Sequence, residues 1–192
     1  MAFAFRSGNI FDSHPSIVIN TANCVGIMGA GVAKSVAERF PSVARDFRQL
    51  CGLGLSCDGM PDRALMGRKF DPLPSCLELG RPCDIHRVRP GHIHFVRTGD
   101  STTPWVGHLV TKRHWNSASR LEDVESGIIA LARAIERNQS PTIQTVAMPA
   151  PGCANGGLNW ERDVRPLVVR HLQPVAEASR HIVHAYQPMP KR

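Results

Sequence analysis

A glycine-bearing loop between a buried strand and a helix constrains the fold of this chain most. The strand, predicted over 16–20, has three consecutive β-branched residues, and a helix is predicted over about 30–40. The loop between them contains Gly26, Gly29 and Gly31. Glycine lets the backbone approach a ligand, and the N–H groups that begin a helix favour a phosphate. A plain turn between strand and helix is the simpler alternative.

A second loop of the same kind makes a ligand the better interpretation. It runs over 152–157, after a hydrophobic strand at 143–148 and before a helix that begins at Asp163 or Pro166 and ends at Leu172. Two glycine-rich loops at strand ends can hold one diphosphate from both sides. The sequence therefore predicts a nucleotide-diphosphate ligand.

The remaining periodicity predicts an α/β fold. Further short strands are predicted over 2–6, 93–97, 106–110 and 181–186, and a second short helix over 43–51 follows Pro41, which should end the first helix. Strands that alternate with helices indicate a mixed sheet with helices on both faces, and ligands of such folds lie beyond the carboxyl ends of the central strands.

The clearest helix follows residue 119. Ser119 and Glu122 have the spacing of a capping box. Apolar residues then recur every three or four positions and predict one buried face, formed by Leu121, Val124, Ile128, Leu131 and Ile135.

An irregular segment at about 52–88 interrupts this pattern. It is rich in glycine, proline, cysteine and arginine, and we interpret it as an insertion within a single domain over 1–192. Four cysteines lie in it or beside it without a Cys-x-x-Cys pair, so they give weak support to a zinc site: Cys51, Cys57, Cys76 and Cys83. No metal site and no cofactor are predicted.

The formal net charge of +7 indicates either an anionic partner or a basic surface exposed to solvent. A positive face toward DNA is predicted to include Arg63, Arg68, Lys69, Arg87 and Arg89. No stretch approaches the roughly 20 apolar residues of a membrane span, and the first nine residues lack the apolar core of a signal peptide. We expect a cytoplasmic monomer that contacts no membrane.

A dense group of donors, Thr111-Lys112-Arg113-His114-Trp115, follows the strand at 106–110. It is either a basic surface turn whose Trp115 packs on the core or the position of a reactive amine. In the second interpretation Arg113 and partial burial lower the pKa of Lys112, which frees its lone pair.

Six blocks in order resemble the macrodomain family, with the stronger likeness to the DNA ADP-ribosyl glycohydrolase macrodomains of DarG-type antitoxins and a weaker one to the terminal ADP-ribose protein glycohydrolase of animals. The likeness covers roughly residues 5–51 and 89–187. Its blocks are Gly8-Asn9-Ile10, Ile19 to Gly26, Met28-Gly29-Ala30-Gly31, Thr111 to Trp115, Ser119 to Asp123 and Gly152 to Leu158.

The resemblance implies a macrodomain-like three-layer α/β/α sandwich and a set of site residues. Lys112 matches the catalytic lysine of the family, which attacks or polarises the anomeric carbon of the distal ribose, and Asn23 joins it in the catalytic set. The residues implied to bind ADP-ribose are Asn9 and Ile10 near the adenine, Asn20 and Asn23 at the distal ribose, Met28, Gly29, Ala30, Gly31 and Val32 in the first loop, Thr111 and Trp115, and Pro151, Gly152, Cys153, Ala154, Asn155, Gly156, Gly157 and Leu158 in the second loop.

Departures from the family pattern refine the expected activity. Ala154 replaces a usual glycine, which stiffens the second loop. Gly156 stands where the animal protein-directed enzyme has an aspartate, which favours the DNA-directed branch. The DNA-mimicking second domain of the antitoxins has no counterpart, which favours a stand-alone hydrolase.

Three functions stay open on the sequence. The first is a glycohydrolase that removes ADP-ribose from a DNA base with a lysine. The second is a non-catalytic reader that binds ADP-ribose. The third is a hydrolase of another ADP-ribose linkage, on RNA, on protein or in O-acetyl-ADP-ribose.

Overall fold

A computed structural model describes residues 2–53, 77–78, 81–82, 88–138 and 143–188. The strands are β1 (Phe3–Arg6), β2 (Ile17–Asn23), β3 (Leu77–Glu78), β4 (Arg81–Pro82), β5 (Ile93–Arg97), β6 (Trp105–Lys112), β7 (Thr145–Met148) and β8 (Ile182–Tyr186). The helices are α1 (Gly31–Arg39), α2 (Pro41–Leu53), α3 (Leu121–Arg137) and α4 (Arg165–Ala178), with a π-helical turn at Trp160–Val164 before α4.

Six strands form one mixed sheet in the order β1-β8-β7-β2-β6-β5. The first five strands of that order run parallel, and β5 pairs with β6 in the antiparallel direction. The short strands β3 and β4 pair with each other. Because β1 and β5 occupy the two edges, β2 lies inside the sheet, and its run of β-branched residues is buried on both faces.

Side chains alternate between two cores, one on each face of the sheet. Ile17 and Ile19 of β2 pack with the apolar residues of α3 and α4, whereas Val18 and Ala22 pack with those of α1 and α2. This alternation is the two-residue period of a strand. The predicted three-layer α/β/α sandwich with a mixed central sheet is therefore confirmed.

The capping box predicted before α3 is wrong. The residue that caps the helix is Arg120, no side chain caps it, and the side chain of Glu122 lies 3.5 Å from that of Arg120. Ser119 instead packs against the second glycine-rich loop, and its backbone N–H donates to the carbonyl of Gly156. The predicted apolar face is confirmed, since Val124, Ile128, Leu131 and Ile135 are buried and Leu121 packs beside them.

Other element boundaries differ from the predictions by a few residues. The first helix ends at Arg39, and Pro41 begins the next helix instead of only ending the previous one. Proline suits that position because the first N–H of a helix has no partner within it. The last helix continues past Leu172 to Ala178, because Val175 and Ala176 extend its buried face.

Most of the predicted insertion lies outside the described residues, as do Cys57, Cys76 and Cys83 of the weak zinc hypothesis and four of the basic residues assigned to a DNA-facing surface: Arg63, Arg68, Lys69 and Arg87. Within the described ranges, no group of three or more histidine, cysteine, aspartate or glutamate residues could hold a metal. No helix in those ranges combines the length and hydropathy that crossing a bilayer requires. The single domain over 1–192 stays a prediction.

Two buried histidines lie side by side in the sheet. His94 of β5 pairs in register with His108 of β6, and the His108 ring stacks on Phe47 at 3.9 Å. Burial lowers the pKa of His94 to about 4 and that of His108 to about 3. Both rings are therefore neutral in the folded protein near neutral pH.

We expect the protein to lose stability on acidification at pH values that are still well above these two pKa values. Unfolding returns each imidazole to its ordinary pKa of about 6.5, so below that pH the unfolded chain binds protons that the fold excludes. Stability should fall by about 2 kcal/mol per histidine between pH 7 and pH 5. Urea unfolding at the two pH values measures the loss.

The matched variants are His94→Gln, which should reduce the pH dependence, and His14→Asn at an exposed position, which should leave it in place. A denaturation midpoint that is the same at pH 7 and pH 5 in the wild type would contradict the assignment.

Candidate functional site

A cleft of about 1460 Å³ opens beyond the carboxyl ends of the parallel strands. The five parallel strands all present their carboxyl ends there, so the segments that follow them meet along one line. This is the position expected for a ligand of an α/β sheet. The volume exceeds the roughly 300–1,000 Å³ of an ordinary small-molecule pocket and suits an elongated ligand.

Most of the predicted site residues lie on this cleft. The catalytic candidates Lys112 and Asn23 both line it. The other predicted residues on its wall are Asn9, Ile10, Gly29, Ala30, Gly31, Val32, Thr111, Trp115, Gly152, Cys153, Ala154, Asn155 and Gly156.

Five predicted residues do not line the cleft: Asn20, Met28, Pro151, Gly157 and Leu158. Asn20 is fully buried inside β2, and its side-chain amide donates to Nδ1 of His108 at 2.9 Å. Pro151, Gly157 and Leu158 belong to the second loop without lining the cleft, and the Leu158 N–H donates to the Gly152 carbonyl at 3.0 Å. Asn20 therefore lies inside the sheet and does not face the cleft.

The sheet order arranges the cleft from end to end. Segments after β1 and β8 form one end, with Asn9 and Gln187 on its wall. The two glycine-rich loops, after β7 and β2, form the middle. The segment after β6 forms the other end, with Lys112 and Trp115. A ligand laid along the cleft would meet a pocket, then two sets of backbone amides, then an amine.

The side chain of Asn23 holds the first loop in shape. Its carbonyl oxygen accepts from the N–H groups of Val25 and Ile27, both at 3.2 Å, and its amide donates to the Ile27 carbonyl at 2.7 Å. Its hydrogen-bonding groups are thus engaged with the backbone of the loop. Asn23 lines the cleft, and the geometry makes it a positioning residue for the segment before Gly29.

Replacing Asn23 should loosen the first loop. We expect Asn23→Ala to lower stability by about 1–3 kcal/mol, since the loop groups lose their partners in a half-buried position. Asn23→Asp keeps an acceptor for the N–H groups of Val25 and Ile27 but loses the hydrogen bond to the Ile27 carbonyl. Its stability should therefore lie between that of the wild type and that of Asn23→Ala. Thermal unfolding of the three proteins tests this ranking, which equal melting temperatures would refute.

The second loop is closed by glycines that no other residue can replace without a shift. Gly152 has a φ of +76°, in the left-handed region. A Cβ on Gly156 would collide with Oγ of Ser119 and with the carbonyl of Gly152. Any side chain at position 156 therefore requires the loop to shift.

A β-bulge sets the direction of Lys112. In the pairing of β2 with β6, Ala22 lies opposite Val110 and Asn23 opposite Lys112, so Thr111 is an extra residue. Bulges re-aim the side chains that follow them. The Lys112 Nζ donates to the carbonyl of Asn155 in the second loop at 3.1 Å, and burial lowers the pKa of this amine.

The thiol in the second loop has no features of a nucleophile. Burial, with Asp163 adding to it, raises the pKa of Cys153 to about 12. The thiol donates to the Pro151 carbonyl at 3.6 Å. Cys153 is therefore a small protonated residue on the cleft wall.

Sequence reasoning missed several residues at the cleft ends. Phe11, Tyr186, Gln187 and Pro188 line the end near Asn9, and Asn116 and Ser119 line the end near Lys112. The position of residues 186–188 just after the last predicted strand was a usable signal, because every other parallel strand also ends at the cleft.

The fold of the chain is the macrodomain fold. The chain superposes on the solved macrodomain of Mycobacterium tuberculosis DarG with a TM-score of 0.71 and 26% identity, covering 97% of this chain and 98% of that one. It also matches Thermosipho africanus DarTG in complex with ADP-ribose, with a TM-score of 0.63 and 25% identity over 99% of this chain and 42% of that one. The resemblance predicted from the sequence is confirmed.

Among curated proteins, the chain is 28% identical over 174 residues to a DNA ADP-ribosyl glycohydrolase of Mycobacterium tuberculosis. The match covers 90% of this chain and 39% of that protein, so the chain spans about two fifths of the relative's length. No protein-family model matches the chain.

Proposed function

We propose that this protein binds ADP-ribose in the cleft and hydrolyses the bond that links it to a DNA base, with Lys112 as the reactive amine. The observation that carries the proposal is the position of the Lys112 Nζ. It lies at the end of a cleft whose middle is formed by two glycine-rich loops, 3.1 Å from the carbonyl of Asn155 in one of them.

The order of groups along the cleft matches the order of groups in ADP-ribose. The end near Asn9, Ile10 and Phe11 takes the adenosine, and Asn9 is braced there by accepting from the Phe11 N–H at 3.1 Å. The loops take the diphosphate through backbone N–H groups. The distal ribose then reaches Lys112, at the opposite end.

Lys112 has a feature that favours chemistry at this position. Burial lowers the pKa of its amine, which increases the neutral fraction that can attack the anomeric carbon. In its charged form the amine can instead polarise the ribose. Both routes end in the addition of water across the glycosidic bond.

Two lines of support point to DNA as the molecule from which ADP-ribose is removed. The relatives at 28–29% identity carry the names DNA ADP-ribosyl glycohydrolase and DNA ADP-ribosyl transferase-glycohydrolase fusion protein. The net charge of +7 also suits a polyanionic substrate. Protein-linked ADP-ribose is disfavoured because Gly156 occupies the position at which the family resemblance implies an aspartate in the protein-directed enzyme, and a side chain there would require the loop to shift.

The hydrogen bond from Lys112 to Asn155 also favours a second candidate, a reader without catalysis. In that function the Lys112 side chain only links β6 to the second loop through this hydrogen bond, and its positive charge stabilises the bound diphosphate. A reader binds ADP-ribose and releases nothing.

Calorimetry with free ADP-ribose tests binding, and incubation with ADP-ribosylated oligonucleotide tests hydrolysis. We expect binding and release of ADP-ribose. Binding without release from DNA, RNA or protein conjugates identifies the reader, and release from protein alone identifies another linkage. The absence of binding overturns the proposal.

A further inference from the structure

Three large apolar side chains are partly exposed where the first glycine-rich loop adjoins the segment after β6. Val25, Ile27 and Trp115 are 40%, 46% and 51% exposed. The other large exposed hydrophobics in the part of the chain that the structure describes are Val169 and Ile182, on α4 and at the amino end of β8. We call Val25, Ile27 and Trp115 the apolar rim, of which the last two line the cleft.

The apolar rim is held in place by the backbone. The side chain of Asn23 bonds the N–H groups of both Val25 and Ile27. The N–H of Cys24 donates to the carbonyls of Lys112 and Arg113, which ties the first loop to the segment that bears Trp115. These side chains are thus exposed on backbone that hydrogen bonds hold in place, and exposed apolar side chains grouped beside a cleft are typical of a binding surface.

Two exposed arginines lie on the segments next to the apolar rim. Arg113 is exposed in the same segment as Trp115, and exposed Arg48 of α2 packs its backbone against Gly26, between Val25 and Ile27. The segments 24–35 and 111–119 contain no aspartate or glutamate. Aromatic and apolar groups framed by cations are the surface that single-stranded nucleic acid prefers, because its bases stack while its phosphates meet the charges.

We propose that the apolar rim stacks an unpaired nucleobase next to the ADP-ribosylated one, with Trp115 as the stacking platform. The inference rests on the proposed function, since it takes the released group to be a base at Lys112. It makes Trp115 a specificity residue for the nucleic-acid strand. Because a base within a duplex has no free face, duplex DNA is the control that cannot stack on Trp115.

The test compares two ligands on wild type, Trp115→Ala and Trp115→Phe. One ligand is free ADP-ribose, and the other is a short single-stranded DNA that carries ADP-ribose on one base. Base stacking on an aromatic typically contributes roughly 5- to 150-fold in affinity. We expect Trp115→Ala to raise the KM for the oligonucleotide by a factor at least tenfold larger than the factor by which it raises the Kd of free ADP-ribose. The effect on kcat should be smaller. Trp115→Phe should restore most of the lost affinity for the oligonucleotide.

Tryptophan fluorescence supplies a readout independent of turnover. Trp105 and Trp160 are buried, so an unmodified single-stranded oligonucleotide added with ADP-ribose should quench Trp115. Quenching should disappear in Trp115→Phe and be much weaker with duplex DNA. A single-stranded RNA arm shows whether the sugar matters.

The outcomes separate the two proposals. If ADP-ribose does not bind to the wild type, the proposed function fails. If ADP-ribose binds and is released from the oligonucleotide, but Trp115→Ala weakens the binding of both ligands equally, Trp115 contacts only the ADP-ribose part and the stacking proposal fails. Equal quenching by duplex and single-stranded DNA also overturns it.

Discussion

Lys112→Ala should reduce the release of ADP-ribose from DNA by about 10²–10⁴-fold, the usual contribution of one catalytic proton-transfer or nucleophilic group. The amine lies at the end of the cleft proposed for the distal ribose, and its loss removes the group proposed to act on the anomeric carbon. Single-turnover release from an ADP-ribosylated oligonucleotide measures the rate. Calorimetry on free ADP-ribose should show a far smaller change.

Lys112→Arg separates chemistry from clamping. Arginine keeps a cation that can donate to the Asn155 carbonyl, yet its guanidinium stays protonated and cannot act as a nucleophile. We expect this variant to remain as impaired as Lys112→Ala. Lys34→Ala, on the exposed surface of α1 beside Glu38, is the matched control and should keep full activity. Normal turnover by Lys112→Arg would exclude the neutral amine as the nucleophile and leave a cation that polarises the ribose or holds the second loop.

Gly29→Ala should weaken ADP-ribose binding about 10- to 100-fold without lowering the melting temperature. Gly29 lines the cleft, and a Cβ there meets no protein atom within 4 Å, so the methyl group occupies only the space proposed for the diphosphate. A loss of this size is roughly 1.4–2.8 kcal/mol of binding free energy. Calorimetry and thermal unfolding on the same preparation measure both quantities.

Gly156→Ala is the contrasting variant. Its new Cβ collides with Ser119 and with the backbone of Gly152, so the second loop must shift. We expect a loss of about 1–3 kcal/mol in stability together with weaker binding.

If Gly29→Ala binds ADP-ribose as the wild type does, the first loop does not approach the diphosphate.

The position of Asn20 illustrates what a strand prediction misses. The run Ser16 to Asn20 predicts a strand that ends at Asn20, because Thr21, Ala22 and Asn23 add little hydrophobic signal. In the structure β2 continues to Asn23, since β6 offers partners along its whole length. Asn20 therefore lies inside the sheet, where its amide bonds His108 instead of facing a ligand.

The capping box failed for a related reason. Ser119 and Glu122 have the right spacing, yet the same serine is also in contact with a loop over thirty residues away in the sequence. Packing against Gly152 and Gly156 determines the orientation of Ser119, and the helix begins without a side-chain cap. Local spacing does not reveal a competing tertiary contact.

The sequence by itself determined the layers of this protein and both glycine-rich loops, because apolar periodicity and glycine placement act over a few neighbouring residues. It also singled out Lys112 through its block of donors. Only the tertiary structure decided the strand order, the bulge at Thr111 and the side of the cleft on which each loop lies. Those features depend on hydrogen bonds between strands that are distant in the chain, and residues near 9, 23, 112, 155 and 187 come together only when that sheet forms.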